Sequence, residues 1–200
     1  MNYKNYDMFN EAKSKCRDCY VGKTYNKVVL SDGNTTDPKV LICGECPGAD
    51  EISQGKPFVG KAGKLLRSTL NKYGFRKTNS LITNTIPCRP EGNKFPKEDD
   101  LVKTCVEKWL MQEIELTSPQ YVLLIGSTPL KYVLKLNGGI TANRGKWFYL
   151  FSEPEDDATM YMPTYHPSYV LRKMYMAEGK QILESFEKDI ENVAITAGIK

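Results

Sequence analysis

The sequence predicts an α/β fold: a three-layer α/β/α sandwich on a central, mainly parallel four-stranded sheet. Three observations predict it. Short apolar-rich runs at residues 40–43, 80–86 and 121–125 have the length and turn-flanked boundaries of strands buried on both faces. Segments with apolar residues at helical spacing, 62–73 and 98–116, lie between them. The first run ends in a glycine-rich, acid-bearing loop, residues 44–63 (GECPGADEISQGKPFVGKAG), which enters a helix. Such a strand end is where α/β proteins place ligand sites. Its glycines let backbone approach a ligand, and Glu45, Asp50 and Glu51 set carboxylates beside that backbone.

Taken in order, residues 2–15 read as a short helix with Tyr6, Phe9 and Ala12 roughly on one face. Cys16 and Cys19 follow in a C-x2-C loop. Residues 25–30 suggest a strand, closed by a turn at 31–34. The helix at 62–73 puts Leu65, Leu66, Thr69 and Leu70 on one side and stops at Gly74. The run at 80–86 passes into a Pro-Cys-Arg-Pro stretch that contains Cys88. The helix at 98–116 carries Leu101, Val102, Cys105, Trp109 and Leu110. A helix over 129–136 is broken by Asn137, Gly138 and Gly139. Residues 146–151 and 159–164 suggest two further strands, separated by an acidic turn at 152–157 that reads as a solvated tip. A helix over 174–195 closes the chain, with Ile182, Leu183, Phe186, Ile190 and Val193 at helical spacing. With no repeat, low-complexity tract or linker, one domain over residues 1–200 is expected.

Composition narrows the function classes. A net charge of +4 permits a nucleic-acid partner without requiring one. The N-terminal stretch lacks the apolar core of a signal peptide, and no apolar run is long enough to span a membrane. A cytoplasmic monomer that does not engage membranes is the expectation. Disulfides are rare there, so six cysteines point to metal or redox chemistry. Cys43 and Cys46 straddle the first strand's end, and the helix a redox pair should open begins only near Gly60, so packing and close backbone approach are the better reading. Cys16, Cys19, Cys88 and Cys105 make a better ligand set. Four thiolates suit a cubane iron–sulfur cluster; zinc also accepts four thiolates, though the second pair is spread wider than a zinc ribbon's.

Four separated segments, 44–66 (GECPGADEISQGKPFVGKAGKLL), 80–90 (SLITNTIPCRP), 143–147 and 165–172, which contains His166, Pro167 and Ser168, together resemble the family-4 uracil-DNA glycosylases of the uracil-DNA glycosylase superfamily. The segment GECPGADEISQGKPFVGKAGKLL is similar to the family's first motif. SLITNTIPCRP resembles its second, a strand ending in Asn followed by Cys-Arg-Pro. Tyr165, His166, Pro167 and Ser168, with Leu171 and Arg172 downstream, resemble its third. Residues 143–147 are similar to an RGxW-type segment. Three departures stand out: Cys46 where Ala or Gly is common, a shortened acidic run at 50–52, and a single histidine without the basic loop that forms a covalent adduct in one variant.

The resemblance implies a monofunctional enzyme of base-excision repair. It would extrude uracil from single- or double-stranded DNA, hydrolyse the N-glycosidic bond and leave an abasic site, with no lyase step. It implies a 4Fe–4S cluster on Cys16, Cys19, Cys88 and Cys105. Flipping demands a stacking surface, assigned to Phe58. Telling uracil from cytosine demands an amide, assigned to Asn84, because cytosine reverses the donor and acceptor and would leave buried groups unpaired. Charge developing on the uracil O2 demands a preorganised donor, assigned to His166. Glu45 and Glu51 are placed with the attacking water, and backbone near Cys46 with base recognition. Residues 169–172, including Leu171, are expected as a loop that wedges into the duplex. Arg144, Lys146, Arg172 and Lys173 are expected at phosphates, and Ser168 as a further DNA contact. A catalytically weak, iron–sulfur DNA-binding accessory module is the alternative, resting on Cys46 and the short acidic run.

Overall fold

The computed structural model describes residues 3–150 and 158–200. In chain order the elements are α1 (Tyr6–Ser14), α2 (Tyr20–Thr24), β1 (Asp32–Gly33), β2 (Val40–Gly44), α3 (Ala49–Gln54), α4 (Lys61–Lys72), β3 (Ser80–Asn84), α5 (Asp99–Cys105), α6 (Gln112–Thr117), β4 (Tyr121–Ile125), α7 (Ser127–Pro129), α8 (Gly139–Asn143), β5 (Met160–Thr164), α9 (Pro167–Lys173) and α10 (Gly179–Thr196). A π-helical stretch, Val106–Met111, joins α5 to α6, and another, Leu130–Leu134, extends α7. None of the helices described is long and apolar enough to cross a membrane.

The sheet order is β1-β3-β2-β4-β5. The last four strands are parallel, in register from Val40 opposite Ser80 and Tyr121 to Ile125 opposite Thr164. Side chains along β2 alternate between two cores. Val40 and Ile42 join Leu66, Leu70, Phe186, Ile190 and Val193 under α4 and α10. Leu41 and Cys43 join Val102, Val106, Leu110 and Val133 on the other face. That division is the three-layer sandwich.

The sheet has a fifth strand beyond the four expected. β1 pairs antiparallel with β3, Asp32 opposite Ile82 and Gly33 opposite Leu81. It holds only because residue 33 is glycine: φ is +142°, and a Cβ there would sit 2.1 Å from the Ser80 carbonyl oxygen. The strand expected over 25–30 contributes a single bridge, Val28 to Cys88, and the one over 146–151 contributes Phe148 to Tyr161. Phe151 and the acidic turn at 152–157 lie outside the described residues. The closing helix expected over 174–195 is α10, which starts later, at Gly179, and a separate short α9 precedes it.

Candidate active site

Because β2 to β5 run parallel, their carboxyl ends share one edge of the sheet. The loops after them enclose a cavity of about 430 Å³ lined by Glu45, Cys46, Glu51, Phe58, Asn84 and His166, among others. The floor is set by Gly44. A Cβ there would stand 2.3 Å from Phe58 Cζ and 2.6 Å from Asn84 Oδ1, so only glycine lets the ring and the amide meet over the strand end. Asn84, the last residue of β3, is 6% exposed. Its amide has no protein hydrogen-bond partner among the described residues. Its amide atoms are not sealed in the core but open onto the cavity, where a ligand can pair with them. Phe58 is also buried, with its ring centroid 6.2 Å from that of His166.

His166 caps the N-terminus of α9, with Pro167 at the first helical position. Its Nδ1 accepts the Ser168 backbone N–H at 3.2 Å. A backbone N–H can only donate, so the neutral ring carries its proton on Nε2. Ser168 Oγ also lies 2.8 Å from Nδ1 and receives an Arg172 N–H at 3.3 Å. Burial, and after it the Arg172 charge, pushes the imidazole pKa down to about 4. The cavity therefore holds a neutral histidine able to donate from Nε2.

The two glutamates differ sharply. Glu51 accepts three backbone N–H groups, from Gly48 at 3.0 Å and from Val59 and Gly60 at 2.8 Å each. It organises the loop. Among the described residues Glu45 Oε2 accepts only the Thr128 hydroxyl, at 2.5 Å, and Glu45 also lines a neighbouring cleft of about 330 Å³ with Ser127, Tyr165, His166 and Arg172. Cys46 faces the cavity as a thiol: burial, with the Glu45 and Glu51 charges, pushes its pKa up to about 12. Burial does the same to Cys43, leaving neither cysteine the thiolate character of a redox pair.

Cys16, Cys19, Cys88 and Cys105 lie near one another, outside the cavity lining. Cys16 follows α1, Cys19 caps α2, Cys88 lies beyond β3 and Cys105 ends α5. Burial raises the Cys105 thiol, and the charges of Cys88, Cys19 and Cys16 add to it. Cys88 is raised to about 12 by burial and by Cys16 and Cys19. Four thiols from three segments that feel one another's charge fit a four-thiolate group. Among the described residues no three Cys, His, Asp or Glu side chains close to the spacing of a single-ion site. A cubane is wider than one ion and keeps its sulfurs farther apart.

The basic residues divide. Arg144 is committed to Asp189, with Nε donating to Oδ2 at 2.8 Å, and its guanidinium lies 5.3 Å from the Tyr165 ring centroid. Lys146 and Arg172 are exposed. Residues 169–172 are the body of α9 rather than a loop; Val170 is fully buried and Leu171 half-buried. The apolar group that protrudes is Met174, Tyr175 and Met176, with Tyr175 91% exposed.

The family model for the uracil DNA glycosylase superfamily matches residues 30–191. The chain belongs to that superfamily. Its curated relatives place it in the type-4 branch. It is 31% identical over 185 residues to the type-4 uracil-DNA glycosylase of Thermotoga maritima, covering 91% of each chain. It is 31% identical over 195 residues to the Sulfurisphaera tokodaii enzyme of the same name, covering 95% of this chain and 85% of the relative. It is 33% identical over 185 residues to the Saccharolobus solfataricus enzyme, covering 90% and 82%. Three residues at this superfamily site escaped the sequence reading: Thr128 on Glu45, Asn93 on the cavity wall, and Arg67, which binds the Phe58 carbonyl. Only the Gly-Ser-Thr that follows the third apolar run signalled any of them.

Proposed function

We infer that this protein removes uracil from DNA by hydrolysing its N-glycosidic bond, leaving an abasic site. The observation that carries this is the Asn84 amide, open to the cavity and without a protein partner among the described residues, meeting the Phe58 ring over Gly44 beside a neutral His166. A flipped uracil stacks on Phe58. The Asn84 amide accepts from N3–H and donates to O4; cytosine presents the reverse pattern and leaves both ends unpaired. As the C–N bond breaks, charge accumulates on the uracil O2, and the His166 Nε2–H donates to it. The sugar becomes oxocarbenium-like, and Glu45, oriented by Thr128, sets a carboxylate beside it and beside the incoming water. Glu51, with three N–H groups on its carboxylate, acts through loop geometry. Cys46 takes no proton at neutral pH. The reading is monofunctional: Lys61 lies on the cavity rim but is exposed, whereas a Schiff-base lysine needs desolvation or a cationic neighbour.

Cys16, Cys19, Cys88 and Cys105 would hold a 4Fe–4S cluster, which supplies a covalent tie among three chain segments when bound. DNA contact is assigned to Ser168, Arg172 and Lys146 at phosphates, and to the apolar tip at 174–176 as the element that occupies the gap left by the base. Arg144, paired with Asp189, serves the fold, whereas Leu171, half-buried and in neither core, stays a candidate for the DNA face.

A single-uracil oligonucleotide, in U:G, U:A and unpaired contexts, tests the function. Strand scission after alkali, and none before it, is the expected result. Intact strands from folded, iron-loaded protein would sink the assignment.

A further inference from the structure

We propose that Arg67 is a positioning residue that holds Phe58 in place beneath the base, with Asp32 as its anchor; this rests on the reading that the cavity accepts uracil. Phe58 has φ +54°, a left-handed conformation that a bulky aromatic adopts only when its surroundings impose it. Two features of α4 impose it. Gly63 lets the helix abut the loop, since a Cβ there would lie 2.1 Å from the Phe58 carbonyl carbon and 2.5 Å from its Cα. Arg67, four residues on and so on the same face, donates from Nε to the Phe58 carbonyl at 2.9 Å and from Nη2 to the Pro57 carbonyl at 2.7 Å.

The same Nη2 reaches Asp32 Oδ2 at 2.9 Å, and Lys77 holds the other Asp32 oxygen at 2.5 Å. Asp32 sits on β1 opposite Ile82, two residues before Asn84 on β3. The guanidinium therefore joins the loop that presents the ring to β1, the strand paired with the one that presents the amide. From the other side, Glu51 takes the N–H groups of Val59 and Gly60. A cation holds the carbonyls before and at Phe58, and an anion holds the amides after it. A planar guanidinium with divergent donors can serve three acceptors at once; an ammonium on a flexible stem does so poorly.

The test uses full-length, iron-loaded protein carrying Arg67→Gln, Arg67→Lys or Asp32→Asn. Three quantities are read on the folded fraction: single-turnover excision, inhibition by free uracil, and affinity for DNA carrying a stable abasic analogue. Arg67→Gln should slow excision about 10- to 100-fold, the scale of a small misplacement of a positioned group. It should weaken uracil inhibition in step, with abasic-DNA affinity within about twofold of wild type. Arg67→Lys should recover part of both, and Asp32→Asn should show a milder form of the loss. Unchanged uracil inhibition in Arg67→Gln and Arg67→Lys would overturn the proposal, as would a rate loss matched by lost DNA affinity. Wild-type protein that neither excises nor binds uracil counts instead against the function itself.

Discussion

At the scale of single residues, the proposed chemistry turns on His166, the only histidine in the chain. An unperturbed imidazole titrates near 6.5. Here burial, then Arg172, takes the value down to about 4, and the Ser168 N–H on Nδ1 fixes the tautomer. A neutral donor suits a developing oxyanion, because it needs no proton uptake at neutral pH. One histidine gives one pair of ring nitrogens to follow by nitrogen NMR. The Nε2–H form should be present at pH 7, with a titration midpoint near 4. The sign follows by linkage: the folded state binds the proton more weakly than the unfolded state. Stability from this group is therefore intact above about 6.5 and declines as pH falls from there toward 4. Excision should show no inflection near 6.5. A midpoint at 6.5, or an Nδ1–H tautomer, would remove the neutral-donor account.

At the scale of elements, α9 does two jobs that the sequence motif merges. Its first turn fixes His166 through Pro167 and Ser168, and its body is core, through Val170. What protrudes is the segment beyond it, where Tyr175 is 91% exposed between Met174 at 37% and Met176 at 52%. Three large apolar side chains held out in water beside Arg172 and Lys173 suit a surface that meets unstacked bases. Aromatic stacking on a base is worth about 1–3 kcal/mol, which sets the size of the effect. Tyr175→Ala should slow excision from duplex DNA about 10-fold or more. Excision from single strands, which have no stack to repair, should change little, and inhibition by free uracil should not change. Equal losses on both substrates, or none on either, would place the wedge elsewhere.

Over the whole molecule, the parallel sheet was legible because its strands are apolar runs buried on both faces, which a sequence displays directly. β1 was not: two residues have no periodicity, and its pairing depends on the missing Cβ of Gly33. Residues 25–30 have strand composition but only one bridging residue. Glu45, Phe58, Asn84 and His166 were legible as motif residues, and they line one cavity. Arg67 and Thr128 were not, since the partners that give them meaning, Asp32 and Glu45, lie 35 and 83 positions away. The same long-range logic governs the N-terminal lobe. Its α1 docks through a buried ion pair, Lys13 to Glu113 at 2.9 Å, with side chains 1% and 0% exposed. Tyr6, Ser31 and Thr83 hydroxyls complete the shell of Glu113, and Thr83 precedes Asn84 on β3. Burial alone would raise the Glu113 carboxyl; the Lys13 charge and the hydroxyl hydrogen bonds outweigh it and hold the pKa low. A buried pair is weak evidence of net stability, because desolvation cancels much of its attraction. With the proposed cluster bound, the four cysteines would be the stronger tie between this lobe and β3. Metal closure of a small four-thiolate lobe is worth on the order of 10 kcal/mol, comparable with the roughly 5–15 kcal/mol stability of an entire domain. Cys88→Ala should therefore lose iron, expose residues before β2 to protease and lose uracil excision together. Iron-free protein that keeps both its protease resistance and its excision rate would show that the lobe stands on the Lys13–Glu113 network alone.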